Sequence, residues 1–599
     1  MRTGYLLPPE GLGKKPPQAP MKPEPHTEEG RYPWWQVLCL TGVDLFSSLG
    51  YQPGIALLAA GFLSPLANLA LVLFGLLAVY PVYRRVAEES PHGEGSIGLL
   101  TRLLPGWRGK LLVLVVLGFM ATDFVLTITL SAADAAVHFL GNPLAPAWLQ
   151  GHQVGLTLFL VGLLGLVFYL GFREAIRLAV PIALGYLSLN AVILLAALSH
   201  LRPEHLEGWW RRLLASHPDP MGLLLAIALA FPKLALGLSG YETGVSVMPL
   251  IRGGPQDTPA RPVGRIRGAH RLLLAAALVM GVFLLGAGFA TTLLIPPALW
   301  SSEEVSGRAL SFLAHRYLGE GFGGLYDLFS IVILWFAGAS AMAGLLTIVP
   351  RYLPRFGMAP EWARRRRPMV LFFTGVAFAL TLIFRAEVEA QAAAYATGVL
   401  VVMTSAALAA TLVAAQEKKP GGDYYRFLLP VFLYVLVANV LERPDGVKIA
   451  AFFIAATLFF SLLSRTLRSF ELRVEGFQLD EMAERFVSEM TAQEAPIRLV
   501  AHRPERGRRW VYWEKELRIR EATHIPPGDP IYFVEVFVQD PSEFTTRARV
   551  WGVEHPEARV FRILGTAAPN TLAAFLLYLR DRTGRKPHIY FQWSDKKSP

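Results

Sequence analysis

Cysteine and charge are the two things this chain has least of. Among 599 residues there is one cysteine, Cys39. That excludes an intramolecular disulfide and argues against a cysteine-rich metal site, leaving Cys39 as a small buried apolar residue. Asp, Glu, Lys and Arg together make up only 17% of the chain, against roughly 25% in soluble proteins. No Gly-rich phosphate loop, metal-ligand cluster or Ser/His/Asp pattern is present, so no enzyme activity is expected. What is abundant is apolar: 53% of residues are hydrophobic, with 13 Trp and 36 Phe, and the mean hydropathy is +0.40. Disorder and collagen are excluded, and a water-soluble globular enzyme is disfavoured. One large membrane domain with an appendage fits best.

Spanning a hydrocarbon core of about 30 Å takes roughly 20 apolar residues in a helix. Twelve stretches qualify, near 36–61, 63–83, 110–138, 152–171, 176–199, 222–250, 270–296, 322–349, 369–386, 388–415, 425–441 and 447–466. The net charge of +11 then becomes a topology signal rather than a nucleic-acid one. With both termini in the cytoplasm, the cytoplasmic loops of residues 34–466 hold 22 Lys and Arg and the outer loops hold eight, as the positive-inside rule requires. The expected organisation is a disordered cytoplasmic arm over 1–33, a twelve-helix domain over 34–466 and a cytoplasmic α/β domain over 467–599. In that last region strands are predicted at Ile497–Val500, Ile531–Val538, Ala548–Val553 and His588–Trp593, and a helix at Thr571–Arg580 stopped by Gly584.

Four segments carry chemistry. In the first, Thr41-Gly-Val-Asp44-Leu-Phe-Ser47-Ser48-Leu-Gly50-Tyr51-Gln-Pro53-Gly54, an acid sits where a helix crosses lipid and Gly and Pro can unwind the backbone beyond it. An Asp at a helix centre costs roughly 2.5–3.5 kcal/mol on the insertion scale, so it needs a partner, a cavity or an ion. In the third stretch Asp123, Thr127, Ser131 and Asp134 fall on one helix face. That stripe suits an ion path, although Thr and Ser also serve as interhelical bonds. The sixth reads Phe231-Pro232-Lys233-Leu-Ala-Leu-Gly237-Leu-Ser239-Gly240-Tyr241-Glu242. Glu242 is the best proton carrier, because burial and a nearby cation act in opposite directions on a carboxyl. Lys233, like Asp134, is open to an ion-pair or a substrate role. In the tenth, Tyr395 stands among small residues. Broken segments at the start of stretches 1–5 and 6–10 mark an inverted-repeat transporter with its site at the midplane.

These segments together resemble the KUP family of potassium transporters and the related KimA-type potassium and proton symporters, of the amino acid-polyamine-organocation superfamily. The match rests on Asp44 with Tyr51 seven residues on, on Asp123-x3-Thr127-x3-Ser131, on Ser239-Gly-Tyr-Glu242, on Tyr395, and on the Gly-Glu-Gly at 93–95. Phe124 stands where KimA-type proteins have Tyr, and Ser239 where the family has Thr. The resemblance implies a LeuT-like fold of five-plus-five inverted repeats with helices 1 and 6 broken, in the inner membrane. It implies potassium at Asp44, Tyr51, Thr127, Ser131, Ser239 and Tyr395, and proton coupling at Glu242 with Asp44 and Asp123. Transport is expected to draw on the proton gradient with no cofactor and no transition metal. A homodimer through the C-terminal domain and a nucleotide regulator are implied as partners, nucleic acid is not. An amino acid permease of the same superfamily is the rival reading, and a membrane solute sensor a more distant one.

Overall fold

The computed structural model describes residues 31–591 except 105, 144, 172–174, 256, 259, 260, 303, 353–360, 418–421, 443, 468–473, 505–509, 539–543, 545 and 557. The expected N-terminal arm lies outside the described residues apart from its last three. There the Tyr32 N–H donates to the Leu250 carbonyl and the Arg252 N–H donates to Tyr32, each at 2.8 Å, so the chain enters the membrane domain pinned to the segment after the sixth apolar stretch.

Each apolar stretch carries helix. The elements are α1 (Trp34–Ser47), α2 (Gln52–Ala60), α3 (Ser64–Phe74), α4 (Tyr80–Glu89), α5 (Gly95–Leu103), α6 (Gly106–Leu140), α7 (Gln153–Leu170), α8 (Ala175–Ser199), α9 (Pro203–Ser216), α10 (Pro220–Ala230), α11 (Tyr241–Ser246), α12 (Val263–Leu294), α13 (Ala309–Leu318), α14 (Glu320–Tyr352), α15 (Arg366–Ile383), α16 (Val388–Glu417), α17 (Gly422–Glu442) and α18 (Pro444–Leu467). Among the described residues ten helical runs are long and apolar enough to cross a membrane, or eleven if a pair bent by 98° between α9 and the segment from Pro220 is one span. The protein is a polytopic helical membrane protein. The first run, Trp34–Glu89, has 56 residues; at 1.5 Å per residue that is about 84 Å, enough for two crossings of a 30 Å core. It breaks twice, at Ser48–Tyr51 and at Gly61, whose φ of 52° suits glycine.

The long α6 packs along α14 and α16, and glycines set how closely. A Cβ on Gly398 of α16 would stand 3.0 Å from the Asp123 Cβ, and one on Gly344 of α14 would stand 3.1 Å from the Phe124 ring. Helices in lipid gain little from hydrophobic segregation, so such close approach is what holds them together. The short α9 is amphipathic. It buries Trp209 and Leu213 against Leu63 and exposes Glu204, Glu207 and Arg211, the pattern of a helix lying along a membrane surface.

After α18 the fold changes. Six strands, β1 (Val474–Leu479), β2 (Arg498–His502), β3 (Ile531–Val538), β4 (Thr546–His555), β5 (Ala558–Gly565) and β6 (His588–Tyr590), form one curled sheet in the order β1-β4-β5-β3-β2-β6. All neighbours are parallel except β4 and β5. Helices α19 (Glu481–Ala492), α20 (Trp510–Thr523) and α21 (Ala568–Thr583) cover it. All four expected strands form, with the end of the last outside the described residues. The expected helix is α21, and Gly584 ends it with φ 70°. The Arg465 guanidinium at the end of α18 lies 4.6 Å from the Trp107 ring and 5.6 Å from the Phe544 ring, linking the two parts of the chain.

A row of charged residues crosses three parallel strands of this sheet in register: His502, Glu535 and Arg562. Glu535 is 1% exposed. Its Oε1 accepts from the Tyr512 hydroxyl at 2.5 Å and faces His502 Nδ1 at 3.1 Å, while Oε2 accepts from Arg562 Nε at 2.9 Å. Burial alone would push the carboxyl up, but the bonds from His502 and Tyr512 and the Arg562 charge hold it below the usual carboxylate range. Burial, then the bond to Glu535, pushes the Tyr512 hydroxyl up to about 12. A depressed carboxyl stabilises the fold above its ordinary pKa, and that stability is lost as pH falls through the folded value. Glu535→Gln is therefore expected to cost about 2–4 kcal/mol at pH 7, since Arg562 is left half-buried without its counter-charge. The difference from wild type should close on acidification, which chemical denaturation at two pH values checks.

Candidate functional site

Two interruptions in helical structure meet in the middle of the membrane domain. In the first, α1 ends at Ser47 and a turn over Ser48–Tyr51 leads to α2, which has Pro53 in its first turn. The Ser47 and Ser48 hydroxyls donate to the carbonyls of Asp44 and Leu45, at 3.0 and 2.6 Å. They occupy acceptors that the broken helix would otherwise leave free. In the second, α10 tightens into a 3₁₀ segment over Phe231–Leu238, Gly240 turns the chain with φ 89°, and α11 follows. Only glycine takes that conformation cheaply. The breaks are tied together: Gln52 Nε2 donates to the Leu234 carbonyl at 2.9 Å, and a Cβ on Gly240 would lie 3.8 Å from Asp44 Oδ2.

Most of the predicted residues converge here. Asp44, Tyr51, Thr127, Ser131, Ser239, Glu242 and Tyr395 are all buried. Asp44 and Asp123 both lie within electrostatic reach of Tyr51 and Tyr395, and Asp123 within reach of Asp44 and Glu242. The Thr127 hydroxyl donates back to the Asp123 carbonyl at 2.9 Å, which leaves its lone pairs as acceptors. Asp123 Oδ1 is buried with no hydrogen-bond partner, and the buried Ser239 hydroxyl faces Tyr395. Buried orphan oxygens are rare in folded proteins and point to a ligand. Among the described residues no Lys or Arg pairs with Asp44, Asp123 or Glu242.

Glu242 opens α11 and reaches across to α5. Its Oε1 accepts from the Ser96 N–H at 2.9 Å and the Ser96 hydroxyl at 3.0 Å, and the Tyr83 hydroxyl also faces the buried carboxyl. Tyr83 packs against it and stacks 5.7 Å from Tyr241. The Gly-Glu-Gly loop makes this contact possible: Gly95 has φ 63°, and a Cβ there would stand 2.3 Å from Glu242 Oε1. Gly95→Ala is expected to displace the carboxylate and to lower stability by about 1–2 kcal/mol through the left-handed backbone. A melting curve of the variant beside wild type checks this.

Lys233 is placed elsewhere. Its Nζ is 2.8 Å from Glu442 Oε2 on α17, with both side chains about a third exposed. Asp134 lies one helical turn beyond Ser131, fully buried, with both oxygens unpartnered, and a Cβ on Gly50 would be 3.4 Å from its Oδ2. Sequence reasoning missed Ser96 and Gln52. Ser96 directly follows the Gly-Glu-Gly, which was the available signal; nothing marked Gln52. Compared with protein-family models and with curated proteins, the chain gives no match.

Proposed function

We propose that the protein is a secondary transporter of the inner membrane that takes up potassium with protons by alternating access, on the plan of the KUP and KimA-type symporters. The observation that carries the reading is the gathering of buried carboxylate and hydroxyl oxygens at two helix breaks, Asp123 Oδ1 among them without a partner, and among the described residues no Lys or Arg pairs with these acids. A dehydrated monovalent cation is what such an acceptor-only site lacks. An amino acid substrate would need a donor for its carboxylate, and Lys233 is engaged by Glu442. Counting the first helical run as two crossings, and the broken segment from α10 to α11 as one, supports twelve spans and two five-helix repeats. The Lys and Arg bias supports cytoplasmic termini. No cofactor is needed, because the proton gradient does the work. The C-terminal sheet domain then serves regulation or pairing of two copies.

Uptake into proteoliposomes tests this. An inward proton gradient should drive potassium accumulation without added amino acid, and potassium should raise Tm more than sodium does, since a ligand selective for the folded state stabilises it. Amino acid uptake with no response to potassium would sink the proposal. Lys233→Gln should transport at nearly the wild-type rate, because a partly exposed ion pair is worth about 1 kcal/mol or less.

A further inference from the structure

Away from the two breaks, at the far end of α6, one carboxylate gathers three donors and two imidazole nitrogens. Asp327 of α14 is completely buried. Its Oδ1 accepts from the Ser311 hydroxyl at 2.6 Å and faces His138 Nδ1 at 3.2 Å. Its Oδ2 accepts from Asn142 Nδ2 at 3.0 Å and from Arg308 Nη2 at 3.1 Å, and faces His315 Nε2 at 3.1 Å. The cluster extends in both directions through the second nitrogen of each imidazole. His315 Nδ1 lies 2.8 Å from Glu320 Oε2, whose side chain is 73% exposed. His138 Nε2 is buried without a partner, as are both oxygens of Asp134, one helical turn back on α6. Both border Gly50, where a Cβ would stand 3.4 Å from Asp134 Oδ2 and 3.7 Å from His138 Nε2.

Titratable groups thus run from an exposed carboxylate to the turn that interrupts α1, alternating acid and imidazole: Glu320, His315, Asp327, His138, Asp134. Among the described residues these three carboxylates share one fixed cation, Arg308, which pairs with Asp327 and lies within electrostatic reach of Asp134. The other titratable groups near Asp134 are Tyr51 and Tyr186. Tyr186 stacks on Tyr326, whose hydroxyl donates to Asn190 Oδ1 at 3.2 Å. These hydroxyls are neutral and leave the excess of negative charge in place. In a water-poor interior such an excess favours taking up protons, and the two imidazoles are the groups able to carry them.

We propose that Glu320, His315, Asp327 and His138 form a proton relay from the outer surface to Asp134, beside the break in α1. The proposal rests on the reading of a proton-coupled transporter. A proton reaches His315 Nδ1 from Glu320 or water, and the Nε2 proton passes to Asp327. Asp327, neutral for this step, hands the proton on Oδ1 to His138 Nδ1 as it takes the His315 proton on Oδ2, and the carboxyl then turns to bring its remaining proton back to Oδ1. The His138 Nε2 proton passes to Asp134 through a bridging water, because the two are not hydrogen-bonded to each other. One proton leaves each group for each that arrives, and no heavy-atom bond changes. Arg308, Ser311 and Asn142 are positioning residues that fix the Asp327 carboxylate between the two rings.

In proteoliposomes His138→Gln and His315→Gln are expected to slow proton-driven uptake about a hundredfold or more, the lower end of what a positioned proton carrier contributes. The Tm shift given by potassium alone should be unchanged. Proton-driven uptake at the wild-type rate in both histidine variants would overturn the relay while leaving the transporter reading intact. A second measurement does not depend on transport: in 15N-histidine spectra of the protein in nanodiscs, the signal lost in His138→Gln should pass from neutral to protonated as pH falls, and should move in His315→Gln. A His138 signal held in one protonation state from about pH 5 to 9 overturns the relay even if wild type moves potassium without protons, a result that would separately refute the coupling.

Discussion

Glu242→Gln is expected to abolish accumulation of potassium against its gradient while sparing potassium binding. Gln has the shape of a protonated Glu, and its carbonyl can still accept from the Ser96 N–H and hydroxyl that hold Glu242 Oε1. The fold around α5 and α11 therefore survives, and only the ability to gain and lose a proton goes. Proton-driven uptake should fall at least a hundredfold, the lower end for removing an acid-base group from its task, and what remains should not respond to pH. Downhill exchange of labelled potassium should persist, because exchange requires no net proton movement. Glu242→Ala provides the contrast. It leaves the Ser96 N–H buried without an acceptor, which costs about 1–3 kcal/mol, so Tm drops and exchange suffers too. A Gln variant that still accumulates potassium under an inward proton gradient would remove Glu242 from coupling and leave it as a cap for α5.

The helices were legible because an apolar run of lipid-spanning length is hard to disguise. The breaks were legible because Gly, Pro and an acid inside such a run have few other uses. Asp44, Asp123 and Glu242 stood out for the same reason. What the sequence hid were contacts made only in three dimensions. Asp327 meets His138 across 189 positions and Glu242 meets Ser96 across 146, and no local pattern signals either. In the C-terminal domain β5 escaped because Arg559 and Arg562 interrupt its alternation. Both are neutralised by acids on neighbouring elements, Arg559 by Glu489 of α19 and Glu554 of β4, Arg562 by Glu535 of β3. β1 escaped because its residues are only partly buried and its pattern correspondingly faint. By contrast α19 was readable in principle, with Asp480 accepting from the Ala483 N–H as an N-cap and Ala483, Phe486, Val487 and Met490 buried along one face.

Asp44→Asn is expected to give a pair of effects with opposite signs. In potassium-free buffer the variant should melt higher than wild type, by a few degrees. Wild-type Asp44 is 6% exposed, has no basic partner among the described residues and shares its surroundings with Asp123; an unpaired carboxylate there opposes folding, and a neutral amide of the same size relieves it. A site kept for function at the expense of stability behaves in this way. Adding potassium should then reverse the order, because wild type gains stability from the ion and the variant does not. A carboxylate about 4 Å from a monovalent cation, at an effective dielectric near 20, contributes about 4 kcal/mol. Losing even two-thirds of that weakens binding about a hundredfold. Melting curves over a potassium series, in wild type and variant, read both effects in one experiment. If Asp44 were instead a structural acid bonded to a neighbouring helix, Asn would lower Tm without potassium and leave the potassium-dependent rise unchanged, so each half of the result excludes that role independently.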